Sequence, residues 1–353
     1  MHGGDVTHLR QRLGTRSTQL LDFSANLNPL PLPLDICAAV LSSVDELAHY
    51  PDPQCRALNA AIAAWLAIDP RWVVSGNGSE QLIWWLPRAL QAQRVVVNVP
   101  AYLDYQRAAA LWELPVVELP LDRERDFALD LATLAATVQP GDLVWISHPN
   151  NPTGRLAELD VLKPLIAAHP KVWWAVDEAF IDFVAAADSA LQWQQPNVIV
   201  ARSLTKIFAL PGLRLGFMVM PPALAVRLHA HLPAWSVNTF AQVIGTQILS
   251  ASWLDDYLQT TRREIAKQRE QLSGALTTLG IRVTSGCANY LLLELPLPLP
   301  SAPVIAETLL MQHAIAVRVC TNYNGLNERF VRIAIRSEQE NQHLIAALQT
   351  VLA

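Results

Sequence analysis

The chain has 353 residues and a formal net charge of -5, with 52% hydrophobic and 16% charged residues. That length exceeds one ordinary core, so a large domain with a smaller one is expected, and the composition excludes a disordered chain. With no run of Lys or Arg and a mildly acidic balance, a broad nucleic-acid or anionic-membrane surface is also excluded, so any anionic substrate must be caught locally.

Cys37, Cys55, Cys287 and Cys320 are scattered without a C-x-x-C pair. This argues against a metal site or a disulfide framework and fits a reducing cytosol. Met1-His2-Gly3-Gly4-Asp5 leads into polar residues instead of a signal peptide's apolar core. No apolar run approaches the roughly 20 residues of a bilayer span, so a cytoplasmic protein is expected.

In chain order, Pro29 to Leu34 reads as a Pro-rich loop, and apolar spacing predicts helices over Leu58 to Leu66 and Gln81 to Leu90. Short runs rich in Val, Ile and Trp predict strands at Arg94 to Val99, Leu143 to Ser147, Val172 to Asp177, Val198 to Arg202 and Arg214 to Val219. Such strands alternating with helices indicate an α/β architecture, with a largely parallel sheet covered on both faces. From Val237 to Leu279 the pattern lengthens into helix, with Arg262, Arg263, Glu264, Lys267, Arg269 and Glu270 as its solvated face and a bridging place between two domains. The alternating prolines of Leu295 to Pro300 cannot donate to a ladder and predict a loop inside the C-terminal domain.

Chemistry concentrates where these strands end. Asp177 closes its strand and so belongs at the carboxyl end of the sheet, where ligands bind in open α/β folds. A carboxylate about 3 Å from a pyridine nitrogen would favour its protonation by roughly 5 kcal/mol before desolvation. His148-Pro149-Asn150-Asn151-Pro152-Thr153-Gly154 is a turn by composition, from which the Asn151 amide can donate to a phenolate oxygen. Ser75-Gly76-Asn77-Gly78-Ser79-Glu80 opens a helix whose first N–H groups suit a phosphate, although a Ser N-cap after a Gly turn reads the same way. Tyr102 follows another strand and can stack on a ring or simply fill the core.

The centre of the pattern is Lys206 in Ser203-Leu204-Thr205-Lys206, with Arg214 eight residues further on. A lysine just after two hydroxyl residues, with an arginine nearby, can bind an aldehyde covalently and its phosphate ionically. Pyridoxal 5'-phosphate is the aldehyde that this arrangement suits. Taken singly, Asp177 could cap a helix and Lys206 could sit on the surface; taken jointly with Asn151, they define a coenzyme site.

The order Gly78-Ser79-Glu80, Tyr102, Asn151, Asp177, Lys206, Arg214 and Arg332 resembles the fold-type I pyridoxal-phosphate enzymes, in the branch containing histidinol-phosphate aminotransferase. The resemblance covers nearly the whole chain. It implies an aspartate aminotransferase-like fold, with a mostly parallel seven-stranded sheet in a large domain at 31–235. An interdomain helix and a small α+β domain would occupy 236–353, and the 1–30 segment would contribute to the active site and the small domain.

His2-Gly3-Gly4-Asp5 and Leu21 to Pro29 are more similar to the threonine-phosphate decarboxylases of cobalamin synthesis within that branch. The resemblance implies that Arg332 holds a substrate carboxylate, while His2, Asn26 and Arg318 meet the substrate phosphate or carboxylate. It also implies that Tyr50 reaches the coenzyme phosphate of a second subunit in a homodimer. Phe180 stands where the aminotransferases usually carry a Tyr that donates to the coenzyme's phenolate oxygen. The expected activity is decarboxylation of L-threonine O-3-phosphate to aminopropanol phosphate. The alternatives are a histidinol-phosphate or related amino-acid aminotransferase, and a non-catalytic coenzyme-binding regulator, against which stands the lack of a helix-turn-helix or basic extension ahead of the fold.

Overall fold

Thirteen strands are named here in chain order in the computed structural model, which describes residues 3–33, 35–185, 188–193 and 195–352. They are β1 (Leu21–Asp22), β2 (Val73–Asn77), β3 (Arg94–Val99), β4 (Val116–Pro120), β5 (Asp142–Ser147), β6 (Trp173–Asp177) and β7 (Val198–Ser203). The remainder are β8 (Leu215–Val219), β9 (Arg282–Val283), β10 (Tyr290–Glu294), β11 (Ile315–Ala316), β12 (Arg318–Val319) and β13 (Phe330–Ala334).

Seven of them form one sheet in the order β2-β8-β7-β6-β5-β3-β4. Its central strands are largely apolar because both faces are covered, whereas the edge strand β4 carries exposed Glu118. On β5, Leu143 and Trp145 pack into one buried cluster while Val144 and Ile146 pack into another on the opposite face. The pairings among β3, β4, β5, β6 and β7 are parallel. The strand expected at Arg214 to Val219 departs from that direction, since β8 runs antiparallel to both β2 and β7. Its connection from β7 holds only the short helices Leu204–Ile207 and Pro211–Leu213, too little chain for a parallel crossover.

The later strands form a four-stranded antiparallel sheet in the order β12-β13-β10-β9. The N-terminal segment joins this layer: β1 pairs in parallel with β11, Leu21 opposite Ile315. The helix Val6–Leu13 is tethered there as well. Arg12 pairs with Glu307 at 2.5 Å, and Arg16 donates to the carbonyls of Met311 and Gln312 near the end of the helix Ala302–His313.

Between the two sheets the expected long helix is two, Thr239–Leu249 and Leu254–Thr278. Its charged face is not uniformly solvated. Arg262 is half-buried and donates to the Asp182 carbonyl at 2.9 Å, and Arg269 donates to the Cys287 carbonyl at 2.7 Å. Main-chain carbonyls outside the strands, at Asp182 in a short 3-10 helix and at Cys287, attract these guanidinium groups inward. Among the described residues, no helix is long and apolar enough to cross a membrane.

Candidate active site

Three neighbouring strands, β5, β6 and β7, end side by side at Ser147, Asp177 and Ser203. The register places Ser147 opposite Asp177, and Asp177 opposite Ala201. The main chain continues this alignment past the strands, since His148 N–H donates to the Asp177 carbonyl and Glu178 N–H to the Ala201 carbonyl, both at 2.8 Å. The Asn151 turn, the Asp177 carboxylate and the Lys206 segment are thereby brought together at the carboxyl edge of the sheet, as expected for a ligand site in this class of fold.

A cavity of about 420 Å³ opens there. Gly78, Ser79, Glu80, Tyr102, Asn151, Asp177, Ser203, Thr205, Lys206 and Arg214 all line it, as do Phe180, Asn26, Arg318 and Arg332. One of the residues singled out in the sequence lies elsewhere. Tyr50 is 79% exposed and stacks on Trp235 with centroids 4.5 Å apart, away from this cavity. His2 lies outside the described residues.

One end of the cavity is built for a phosphate. The helix starts at Gly78, three residues earlier than its apolar spacing suggests, and Asn77 makes no side-chain cap. Gly78 N–H donates to the Arg214 carbonyl at 2.7 Å, which leaves the next N–H groups of the helix available to an anion. Ser203 and Thr205 hydroxyls, 2.8 Å apart, stand beside it, together with Arg214, which pairs with Glu80 at 3.0 Å. The backbone approach is close: a Cβ on Gly216 of β8 would lie 2.2 Å from Ser79 N, so only glycine fits.

The opposite end carries Asp177. Its Oδ1 accepts from Ala179 N–H at 2.9 Å, and its Oδ2 from the Tyr105 hydroxyl at 2.5 Å. Burial raises the pKa of this carboxyl, while the Tyr105 bond and the Ala179 N–H pull it back down. Between the two ends, burial and then the charges of Arg214 and Arg332 depress Lys206 to about 8. Its amine therefore sheds its proton far more readily than a surface lysine.

Arg332 is buried on β13 and crosses from the second sheet into the cavity. It donates through Nη1 to Asn151 Oδ1 at 2.6 Å and through Nη2 to the Ser24 carbonyl at 2.9 Å. With its carbonyl oxygen so occupied, the Asn151 amide has its NH₂ group left to offer. Arg332 Nε and Asn26 Oδ1 are buried without partners, which marks unmet polar capacity in the wall of the site. Arg318 lies over the Tyr323 ring at 5.3 Å and is held by Asn322 Oδ1.

Three contributors escape the sequence reading. Tyr105 and Tyr323 look like core aromatics until the fold brings them to Asp177 and to Arg318. Asn28 carries the third role: its N–H donates to the Lys206 carbonyl, and its amide donates to Ile207 O, Tyr257 and Thr261. It fixes the N-terminal segment to the turn that carries the lysine. The Asn26–Asn28 spacing was the available signal.

An amine, an acidic group at one end, a donor amide and a phosphate cradle at the other fit a phosphorylated pyridine aldehyde. The comparisons agree. A model of the family "Aminotransferase class I and II" matches residues 18–348, and the chain belongs to that family. Its cofactor is pyridoxal 5'-phosphate.

The chain is 34% identical over 358 residues to the threonine-phosphate decarboxylase of Salmonella typhimurium, covering 99% of this chain and 96% of that protein. It is 33% identical over 356 residues to the adenosylcobalamin biosynthesis bifunctional protein CobDQ of Leptospira interrogans, of which it spans 41%. Histidinol-phosphate aminotransferase 2 of Ralstonia nicotianae is 30% identical over 359 residues, covering 99% of this chain and 94% of that protein. Among solved structures, the histidinol-phosphate aminotransferase of Clostridium acetobutylicum superposes with a TM-score of 0.86 at 29% identity, covering 94% of this chain and 99% of that one. The Sinorhizobium meliloti histidinol-phosphate aminotransferase, in complex with pyridoxal 5'-phosphate, gives 0.82 at 22%, covering 93% and 89%.

Proposed function

We propose that this chain decarboxylates L-threonine O-3-phosphate, releasing (R)-1-aminopropan-2-yl phosphate for cobalamin synthesis. The observation that carries the reading is the pair of buried arginines, Arg318 and Arg332, in the cavity shared by Lys206 and Asp177. Two fixed cations beyond the coenzyme cradle suit a substrate with two anionic groups. The near full-length likeness to a threonine-phosphate decarboxylase supports the choice of substrate. So does Phe180, which offers no hydroxyl where the aminotransferases usually have one.

The coenzyme, when bound, supplies an electron sink for the bond broken at the substrate's α-carbon. Gly78, Ser79, Ser203, Thr205 and Arg214 hold its phosphate, Asn151 and Tyr102 address its ring, and Asp177 keeps the ring nitrogen protonated. Arg332 binds the carboxylate that departs. Arg318, Asn26 and His2 receive the substrate phosphate. Lys206, which burial lowers to about 8, would hold the coenzyme and, once free, would be placed to carry a proton to the substrate's α-carbon.

The division into a coenzyme-binding domain at 31–235 and a smaller one at 236–353 belongs to the same proposal. So does a homodimer in which Tyr50 reaches the neighbouring site, and a cytoplasmic setting.

A histidinol-phosphate or related aminotransferase is the second reading, favoured by the Ralstonia and Clostridium matches. Incubating coenzyme-loaded protein with threonine phosphate and no oxo acid separates the two. Release of carbon dioxide is the expected result. Turnover that depends on 2-oxoglutarate would assign the chain to transamination.

A further inference from the structure

Both carboxylate oxygens of Asp177 are committed on the protein side. Tyr105, in the first turn of the helix Asp104–Leu111, is 1% exposed and donates to Oδ2 at 2.5 Å. Its ring lies flat against Trp145 of β5, with centroids 4.4 Å apart and planes 6° from parallel. The hydroxyl is therefore aimed by a stacked, buried ring and has little freedom to leave the carboxylate.

We propose that Tyr105 is a positioning residue that keeps Asp177 ionised, so that the proton shared between this carboxylate and the coenzyme's ring nitrogen resides on the nitrogen. The inference rests on the reading of Asp177 as the partner of that nitrogen. The physical need is plain from the surroundings. Tyr105, Glu178 and Lys206 act on Asp177, which in turn acts on Tyr102 and Tyr290; Lys206 brings a positive charge, and the charge of Glu178 is offset by Arg202, paired with it at 2.9 Å. Burial among these groups drives the carboxyl toward its neutral form, and the Tyr105 hydrogen bond opposes that drive. Tyr105 itself stays protonated, because burial and the Asp177 charge push its own pKa well up. It therefore acts as a donor only, and a short charge-assisted one.

The experiment compares parent, Tyr105→Phe and Asp177→Asn, each loaded with coenzyme carrying ¹⁵N in the ring. Phe keeps the stack on Trp145 and removes only the hydroxyl. With Tyr105→Phe the nitrogen resonance at neutral pH is expected to move from the pyridinium position toward that of neutral pyridine. Loss of a hydrogen bond to a charged group changes such a proton partition by about tenfold or more. In turnover, kcat falls by a similar factor while KM stays within about twofold. A purely structural tyrosine would alter the melting temperature without moving the resonance.

If Asp177→Asn shifts the resonance and Tyr105→Phe leaves it at the parent position, the Tyr105 inference is overturned and Asp177 keeps its role. If neither variant shifts it, the reading of Asp177 falls and the inference with it.

Discussion

Arg332 on β13 and Asn151 in the turn after β5 meet at 2.6 Å, guanidinium to amide oxygen, so one contact ties the second sheet to the coenzyme edge of the first. Arg332→Ala removes the proposed carboxylate partner and frees the Asn151 side chain together. The expected result is a kcat/KM lowered by about tenfold to a hundredfold, from loss of a bond to a charged group, with coenzyme still bound. Steady-state kinetics beside a coenzyme absorbance spectrum measure this. Parent-like kinetics would move carboxylate recognition away from Arg332; Arg336, tied to Glu340 at 2.7 Å and absent from the cavity wall, is not placed to take it over.

Gly3 packs against Ser24, whose carbonyl also accepts from Arg332. A Cβ at Gly3 would fall 2.2 Å from that carbonyl oxygen, and the neighbouring Gly4 N–H donates to Ser24 Oγ at 2.8 Å. Gly3→Ala must lift the N-terminal segment from its seat while leaving both sheets untouched. KM for the phosphorylated substrate is expected to rise by about tenfold, with a melting temperature close to the parent's. An unchanged KM would detach the segment from substrate binding.

Much of this arrangement is legible in the sequence because it hangs on strand ends. The expected bounds of β3 agree with the observed Arg94–Val99, since a central strand buried on both faces is a short unbroken apolar run. Direction is a different matter. A buried antiparallel strand such as β8 has the same composition as its parallel neighbours, so only the short connection before it betrays the reversal. Tyr105 is 72 positions from Asp177 in the chain, and nothing local distinguishes it from a core aromatic. Arg262 and Arg269 read as solvated because charge pattern reports the helix alone, while the carbonyls that draw them inward come from other parts of the chain.

Lys206 makes stability depend on pH in the coenzyme-free protein. Its folded value is about 8, against about 10.4 for an unfolded lysine. Between these values the unfolded chain binds more protons than the folded one, so stability increases as pH rises through the window. Below it both forms are charged, and the buried charge costs stability. The gain is at most about 3 kcal/mol, reduced by whatever solvent reaches the amine. Urea midpoints of the parent, taken relative to Lys206→Met, should therefore climb between pH 8 and pH 10. A flat difference contradicts the depressed value. Lys206→Met should also fail to retain coenzyme covalently after borohydride treatment.

Phe180 lines the cavity and meets the Tyr290 ring edge to face at 5.0 Å. If it lies beside the coenzyme's phenolate oxygen as proposed, it has no hydroxyl to donate there, and the proton of the bound coenzyme would be held more firmly than beside a tyrosine. Phe180→Tyr supplies a donor to the charged oxygen, which is expected to lower that pKa by about one unit or more. Absorbance titration of the coenzyme-loaded variant reads the shift directly, and an unchanged titration would refute the role given to this position.

Tyr50 tests the shared site. In one chain it stacks on Trp235, itself 49% exposed, and both rings face solvent. If Tyr50 completes the coenzyme cradle of a neighbouring subunit, Tyr50→Ala and Lys206→Ala each cripple a homodimer for a different reason. In a mixed dimer one site then carries both defects, and the other carries the native lysine and receives the native tyrosine. Random re-association of equal amounts makes half the dimers mixed, so activity should recover to about a quarter of the parent's. Inactive variants that stay inactive after mixing and verified subunit exchange would confine Tyr50 to its own chain.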